Sequence, residues 1–172
     1  MKALVVVDYQ IDFVNGALGF AGAELLDAPI VEKIEQCRKD GGKVIFTFDT
    51  HTEDYLNTAE GRKLPVPHCI KGTEGHRLFG NVAECVRPED TVIEKPSFGS
   101  LELIKVLQEG GFDEVELCGL VTDICVVSNA VIAKAALPEA RVVVDGKACA
   151  SFDKDKHNAA LEVMKSVHVD VI

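Results

Sequence analysis

The stretch "DEVELCGLVTDICVVSNAVIAKAAL", residues 113–137, joins two kinds of apolar run. From Val115 to Val121 only Glu116 and Gly119 interrupt the hydrophobic side chains. Such a run fits a strand covered on both faces. From Asp123 to Leu137 the chain is small and apolar over a length that only a helix uses well. Thr122 and Asp123 stand at the junction, and polar groups there are costly to bury without partners. A buried strand passing through a short polar turn into a helix is half of a unit that builds parallel sheets.

The rest of the chain repeats the theme. "ALVVVD" (3–8), "KVIFTFD" (43–49), "DTVIEK" (90–95) and "ARVVVDGKACA" (140–150) read as strands, the last with its exit loop, and "HVDVI" (168–172) as a final short one. "APIVEKIEQCRKDGG" (28–42), "SLELIKVLQEGGF" (100–112) and "DKDKHNAALEVMKSV" (153–167) read as helices, two of them ending in a Gly pair. Residues 50–90, rich in Gly, Pro, Thr and His, read as a long functional loop region. Alternating strands and helices predict a three-layer α/β/α, Rossmann-like fold around a parallel sheet. No linker, repeat or low-complexity tract divides it, so residues 1–172 are expected to form a single domain.

Bulk properties narrow the partners. The net charge is −10, from 18 basic and 28 acidic residues, which argues against nucleic acid and anionic membranes. No apolar stretch approaches the roughly 20 residues that span a bilayer. "MKALVVVDYQ" runs into Asp8 without a small-residue cleavage site, so it does not read as a signal peptide, and a cytoplasmic location is expected. Six cysteines, at 37, 69, 85, 118, 125 and 149, contain no C-x-x-C pair. Cys37, Cys85, Cys118 and Cys149 read as small buried apolar residues.

In open parallel sheets, sites form beyond the carboxyl ends of the strands. Asp8, Asp49, Lys95 and Thr122-Asp123 all fall at such ends. Cys125 opens the helix after "GLVTD", where free N–H groups lower a thiol pKa. Thr122 or Asp123 could cap that helix. Taken singly, Asp8 and Lys95 are ordinary loop residues. Taken together with Cys125, they supply a base, a cation and a nucleophile.

"VVVDYQIDFVNG", "EKPSFGS" and "LCGLVTDICVVSNA" resemble the signatures of the isochorismatase-like cysteine hydrolases, over almost the whole chain. The resemblance implies Asp8 as general base, Lys95 as charge stabiliser and Cys125 as nucleophile. It also implies a cis Val121–Thr122 bond, with the N–H groups of Val121 and Cys125 forming an oxyanion hole.

"FTFDTHTEDYLNTAEGRKLPVPHCIKGTEG" (46–75) holds a second polar group. Asp49 and His51, two apart, face the same way on an extended segment, with Glu60 and His68 following. Two imidazoles with carboxylates suit Zn²⁺, Fe²⁺ or Mn²⁺, although such residues are also common in loops without a metal. Here "D-x-H" and "P-x-H-C-x-x-G-T-x-G" resemble the nicotinamidase branch. That resemblance implies a divalent metal on Asp49, His51 and His68, with Glu60 as a fourth ligand, and Phe13 and Phe98 flanking a flat ring. The implied reaction is deamidation of a small heteroaromatic amide, nicotinamide to nicotinate and ammonia, with a homo-oligomer possible. Other readings are a metal-independent amidase for carbamoyl or ureido substrates, an isochorismatase, and a flavodoxin-like nucleotide module. The last lacks the Gly-rich loop it needs after the first strand. His76, His157 and His168 receive no role.

Overall fold

A computed structural model describes all residues 1–172. Six strands form one sheet: β1 (Lys2–Val7), β2 (Lys43–Asp49), β3 (Thr91–Lys95), β4 (Glu114–Leu120), β5 (Arg141–Ala150) and β6 (Asp170–Val171). Their order across the sheet is β3-β2-β1-β4-β5-β6, and every pairing is parallel. The chain starts in the middle, winds to one edge through β3, then returns past β1 to build the other half. β1 and β4 therefore lie side by side at the point where the winding reverses, and ligand sites form there in open α/β sheets.

Helices cover both faces. α2 (Asp27–Lys39) lies on one face, where Ile30 and Ile34 pack with Leu4 and Val6 of β1. α5 (Leu101–Gly110), α6 (Val127–Ala136) and α7 (Lys154–Ser166) cover the other, where Leu103, Leu107, Ala130, Ala133 and Met164 pack with Ala3, Val5 and Val7. Alternate residues of β1 thus serve two cores, which is why its sequence is apolar without alternation. Ser100 caps α5 by accepting from Leu103 N–H, and Gly111 closes it at φ 63°.

Three short helices were not apparent in the sequence: α1 (Ile11–Val14), α3 (Ala59–Lys63) and α4 (Gly80–Glu84). Each is four or five residues long, too short for a period to show. Two of them, with 3₁₀ turns at Tyr55–Asn57 and Glu74–His76, lie in the 50–90 region expected to be loop. β5 runs on to Ala150, where an exit loop was expected, because Cys149 and Ala150 pair with Gly119 and Leu120 beyond a register shift. No helix is long and apolar enough to cross a membrane.

Candidate active site

The strand ends converge as the sequence suggests. Asp8 follows β1 at φ 45°, a left-handed backbone that costs a non-glycine residue about 1–3 kcal/mol. The Thr47 hydroxyl donates to its Oδ1 at 2.7 Å. Lys95, the last residue of β3, places Nζ 2.6 Å from Asp8 Oδ2, 3.5 Å from Cys125 Sγ and 3.5 Å from Asp49 Oδ1. Its remaining bond goes to the Ser97 carbonyl at 2.9 Å. The ammonium pairs with that buried oxygen by charge, and no other group donates to Oδ2. Asp8, Lys95 and Cys125 are all buried.

Burial, the Asp8 carboxylate and Asp49 push the Cys125 thiol well above its ordinary value, against the pull of Lys95. This corrects the expectation of a thiol acidified by its helix end. Full desolvation of the thiolate outweighs a helix-end effect of about 0.3–1 kcal/mol. Lys95 moves upward too: burial alone would lower it, but Asp8, Cys125 and Asp49 keep it an ammonium. Burial raises Asp8 above the usual carboxylate range, Lys95 opposing and Asp49 reinforcing.

The turn that presents Cys125 differs in detail from the expectation. The cis bond is Leu120–Val121, one residue earlier than Val121–Thr122. The departure from the strand begins at Gly119, whose φ of 117° and contact with the Val7 carbonyl leave no room for a Cβ. Residues Thr122–Val126 then form a π turn in which the Val121 carbonyl accepts from the N–H groups of Ile124 and Val126. Neither Thr122 nor Asp123 caps the helix. The Thr122 hydroxyl is instead 2.7 Å from His157 Nδ1. Asn129, buried in α6, donates to the Cys125 and Phe98 carbonyls and accepts from Ser100 N–H.

Beside this group stand Asp49, His51 and His68, each buried and each offering one donor atom within 4.8 Å of the others. Asp49 Oδ2 lies 2.9 Å from His51 Nε2 and 3.3 Å from His68 Nε2. His68 Nδ1 bonds the Val66 carbonyl at 2.8 Å, which fixes Nε2 as the free nitrogen. Glu60 Oε1 is slightly farther, 3.8 and 3.6 Å from the two imidazoles, and falls outside the tight group of three. Burial would raise the Asp49 pKa, but hydrogen bonds from both histidines and the charge of Lys95 hold it low. Two imidazoles and one ionised carboxylate, buried and prearranged, match the donor set of a divalent metal site with open positions.

A cavity of about 400 Å³ connects the two groups. Cys125, Asp49, His68 and Glu60 face it, and Phe13, Phe98, Val121, Ile124, Leu64 and Phe152 give it mostly apolar walls. Phe13 and Phe98 were expected there. Phe152 and Leu64 were not, and no pattern in their neighbourhoods marks them. Gln10 was missed altogether: its Nε2 donates to the Asp49 and His76 carbonyls and its Oε1 accepts from Asp49 N–H. Asp12 holds the far side, accepting from Cys69 N–H at 2.7 Å next to His68. All six cysteines are free, and Cys37, Cys118 and Cys149 are buried while Cys85 is half-buried.

The chain belongs to the isochorismatase family, whose domain model, described as "Isochorismatase domain", matches residues 2–172. It is 35% identical, over 93% of its length and 92% of the relative's, to an uncharacterized isochorismatase family protein PncA of Bacillus subtilis. It is 30% identical to the nicotinamidase/pyrazinamidase of Mycobacterium tuberculosis, covering 100% of this chain and 98% of that one. Its fold is similar to that of a pyrazinamidase of Pyrococcus horikoshii solved in complex with zinc, with a TM-score of 0.86 at 26% identity over 99% and 98% of the two chains. The chain is an amidohydrolase, nicotinamidase-like in sequence and fold.

Proposed function

We propose that this enzyme converts nicotinamide to nicotinate and ammonia through a thioester on Cys125. One observation carries the reading: Cys125, with Lys95 and Asp8 behind it, faces the same cavity as Asp49 and His68 of a buried two-histidine, one-carboxylate cluster. The convergence of that cluster favours it over a metal-independent carbamoyl or ureido amidase. The similarity to proteins named nicotinamidase supports the substrate.

Asp49, His51 and His68 would hold a divalent metal, with Glu60 in reach. When bound, the metal polarises a ligand at its open positions and lowers the pKa of bound water. The protein's own groups carry the rest. Phe13 and Phe98 sandwich the flat ring and point its carboxamide at Sγ. Asp8 takes the thiol proton as Sγ attacks the amide carbon, so the charged nucleophile exists only against substrate and Lys95. The Val121 N–H, which no protein group accepts, and the Cys125 N–H stabilise the oxyanion. Collapse breaks the C–N bond, and Asp8 returns the proton to the departing ammonia. Asp8 then deprotonates water, whose oxygen attacks the thioester; the C–S bond breaks, Asp8 returns the proton to the departing Cys125 thiolate, and nicotinate is released.

Hydroxylamine tests the thioester. Added during turnover of nicotinamide, it should divert product to nicotinohydroxamate, and Cys125→Ala should form none. Ammonia release at the wild-type rate without hydroxamate would overturn the covalent route.

A further inference from the structure

The turn that carries Cys125 is held from two sides: Ser128 and Asn129 of α6 donate to the Ile124 and Cys125 carbonyls, and Thr122 reaches α7. Its first carbonyl is used internally, and it has no side-chain cap. Apart from the Lys95 contact to Sγ, the bond between Thr122 Oγ1 and His157 Nδ1 is the only hydrogen bond made by a side chain of residues 121–126. Thr122 is fully buried, and its hydroxyl spans 35 residues to reach the first half of α7. Asp123, next along the turn, has a buried carboxylate oxygen with no hydrogen-bond partner, which leaves Thr122–His157 as the turn's one hydrogen bond to α7.

We infer that His157 is a positioning residue: through Thr122 it sets the angle of the π turn and hence the placement of the Cys125 thiol. His157 touches no reacting atom, and its effect passes through one hydroxyl. The groups facing its ring are Thr122 and Asp123 from the turn and Lys154 from its own helix. Burial lowers its pKa, so the ring is neutral at neutral pH and the bond does not depend on a charge. A turn displaced by about 1 Å can cost 100-fold in rate, because near-attack geometry is lost. This inference rests on Cys125 being the nucleophile.

The test uses His157→Leu, which removes the bond, and His157→Asn, whose side-chain amide can stand in for Nδ1. Met164→Ala, a core truncation on the same helix but away from the turn, controls for stability. Two readouts are taken: kcat and KM for nicotinamide, and the rate at which iodoacetamide alkylates Cys125, followed by peptide mass spectrometry. We expect His157→Leu to lower kcat about 10- to 100-fold with KM within about threefold, and to change the alkylation rate of Cys125. His157→Asn should recover most of both. Met164→Ala should lose more thermal stability and leave both near wild type. If His157→Leu matches Met164→Ala in both readouts, or if Asn restores nothing, the inference is overturned. Alkylation does not depend on the substrate, so a mistaken substrate would show as zero turnover in wild type with the alkylation pattern intact.

Discussion

Gln10 carries no chemistry, yet it fixes both backbone groups of Asp49 through one side chain, 39 residues away in sequence. Replacing it with Leu strands a buried N–H and a buried carbonyl, at a cost of about 1–3 kcal/mol. It also frees the carboxylate that two histidines share. Gln10→Leu should therefore weaken divalent metal binding about 10- to 100-fold in a competition titration with a chromophoric chelator. Unchanged affinity would mean that the histidines alone hold Asp49 in place. The same residues show what a sequence can reveal at this scale. Asp8, Asp49, Lys95 and Cys125 were legible because each is a polar or reactive group at the end of an apolar run, where sheet topology collects ligand sites. Gln10, Phe152 and His157 act through contacts between distant segments, and their neighbours carry no sign of those contacts. The resting state of Cys125 was misread for a related reason: the helix end is visible in sequence, but complete desolvation is not.

At the scale of elements, the strand-to-helix turn after β4 concentrates the unusual backbone. Gly119 sits at φ 117° with the Val7 carbonyl where a Cβ would go. Gly119→Ala combines a disfavoured dihedral with a backbone clash, so we expect a loss of at least about 1–3 kcal/mol in chemical denaturation. Stability equal to wild type would show that the turn can relax, and with it that Cys125 is not rigidly placed. Long strands and helices were legible because their apolar patterns persist over many residues. The π turn was not, since nothing in "VTDICV" distinguishes an extra residue per turn from an ordinary helix start. The capping role assigned to Thr122 failed for the same reason: the backbone satisfies itself internally, and the hydroxyl is free to reach α7.

At the scale of the whole molecule, one ion network ties the two halves of the sheet. Glu116 of β4 is nearly buried and pairs with Lys2 of β1 at 2.5 Å and Lys33 of α2 at 2.7 Å, and Lys33 continues to Asp145 of β5 at 2.6 Å. Burial would raise the Glu116 pKa, but the two lysines hold it below its ordinary value of 4.5. Its contribution to stability is thus complete above pH 4.5 and is lost as the pH falls through the lower folded-state value. Glu116→Gln should be less stable than wild type by about 3–5 kcal/mol or less at pH 7, and the gap should narrow in acid. A gap that stays constant down to pH 3 would contradict the linkage. The alternation of strands and helices made the parallel sheet legible, but not the strand order, because which strand lies beside β1 depends on contacts between distant segments. Metal binding acts at this scale as well. A divalent ion that binds only the folded chain should stabilise wild type by about 2.7 kcal/mol at 100 times Kd, read as a higher Tm, and should raise Tm far less in His68→Ala.

If Cys125, served by Asp8 and Lys95, attacks the carboxamide of nicotinamide, turnover depends on its thiol. The most direct measurement is ammonia release from nicotinamide by metal-supplied wild type and Cys125→Ala, purified in parallel. Wild type should release ammonia steadily, and release should fall by several orders of magnitude in the variant, which should keep its fold and its metal. Comparable release by both proteins would contradict that dependence.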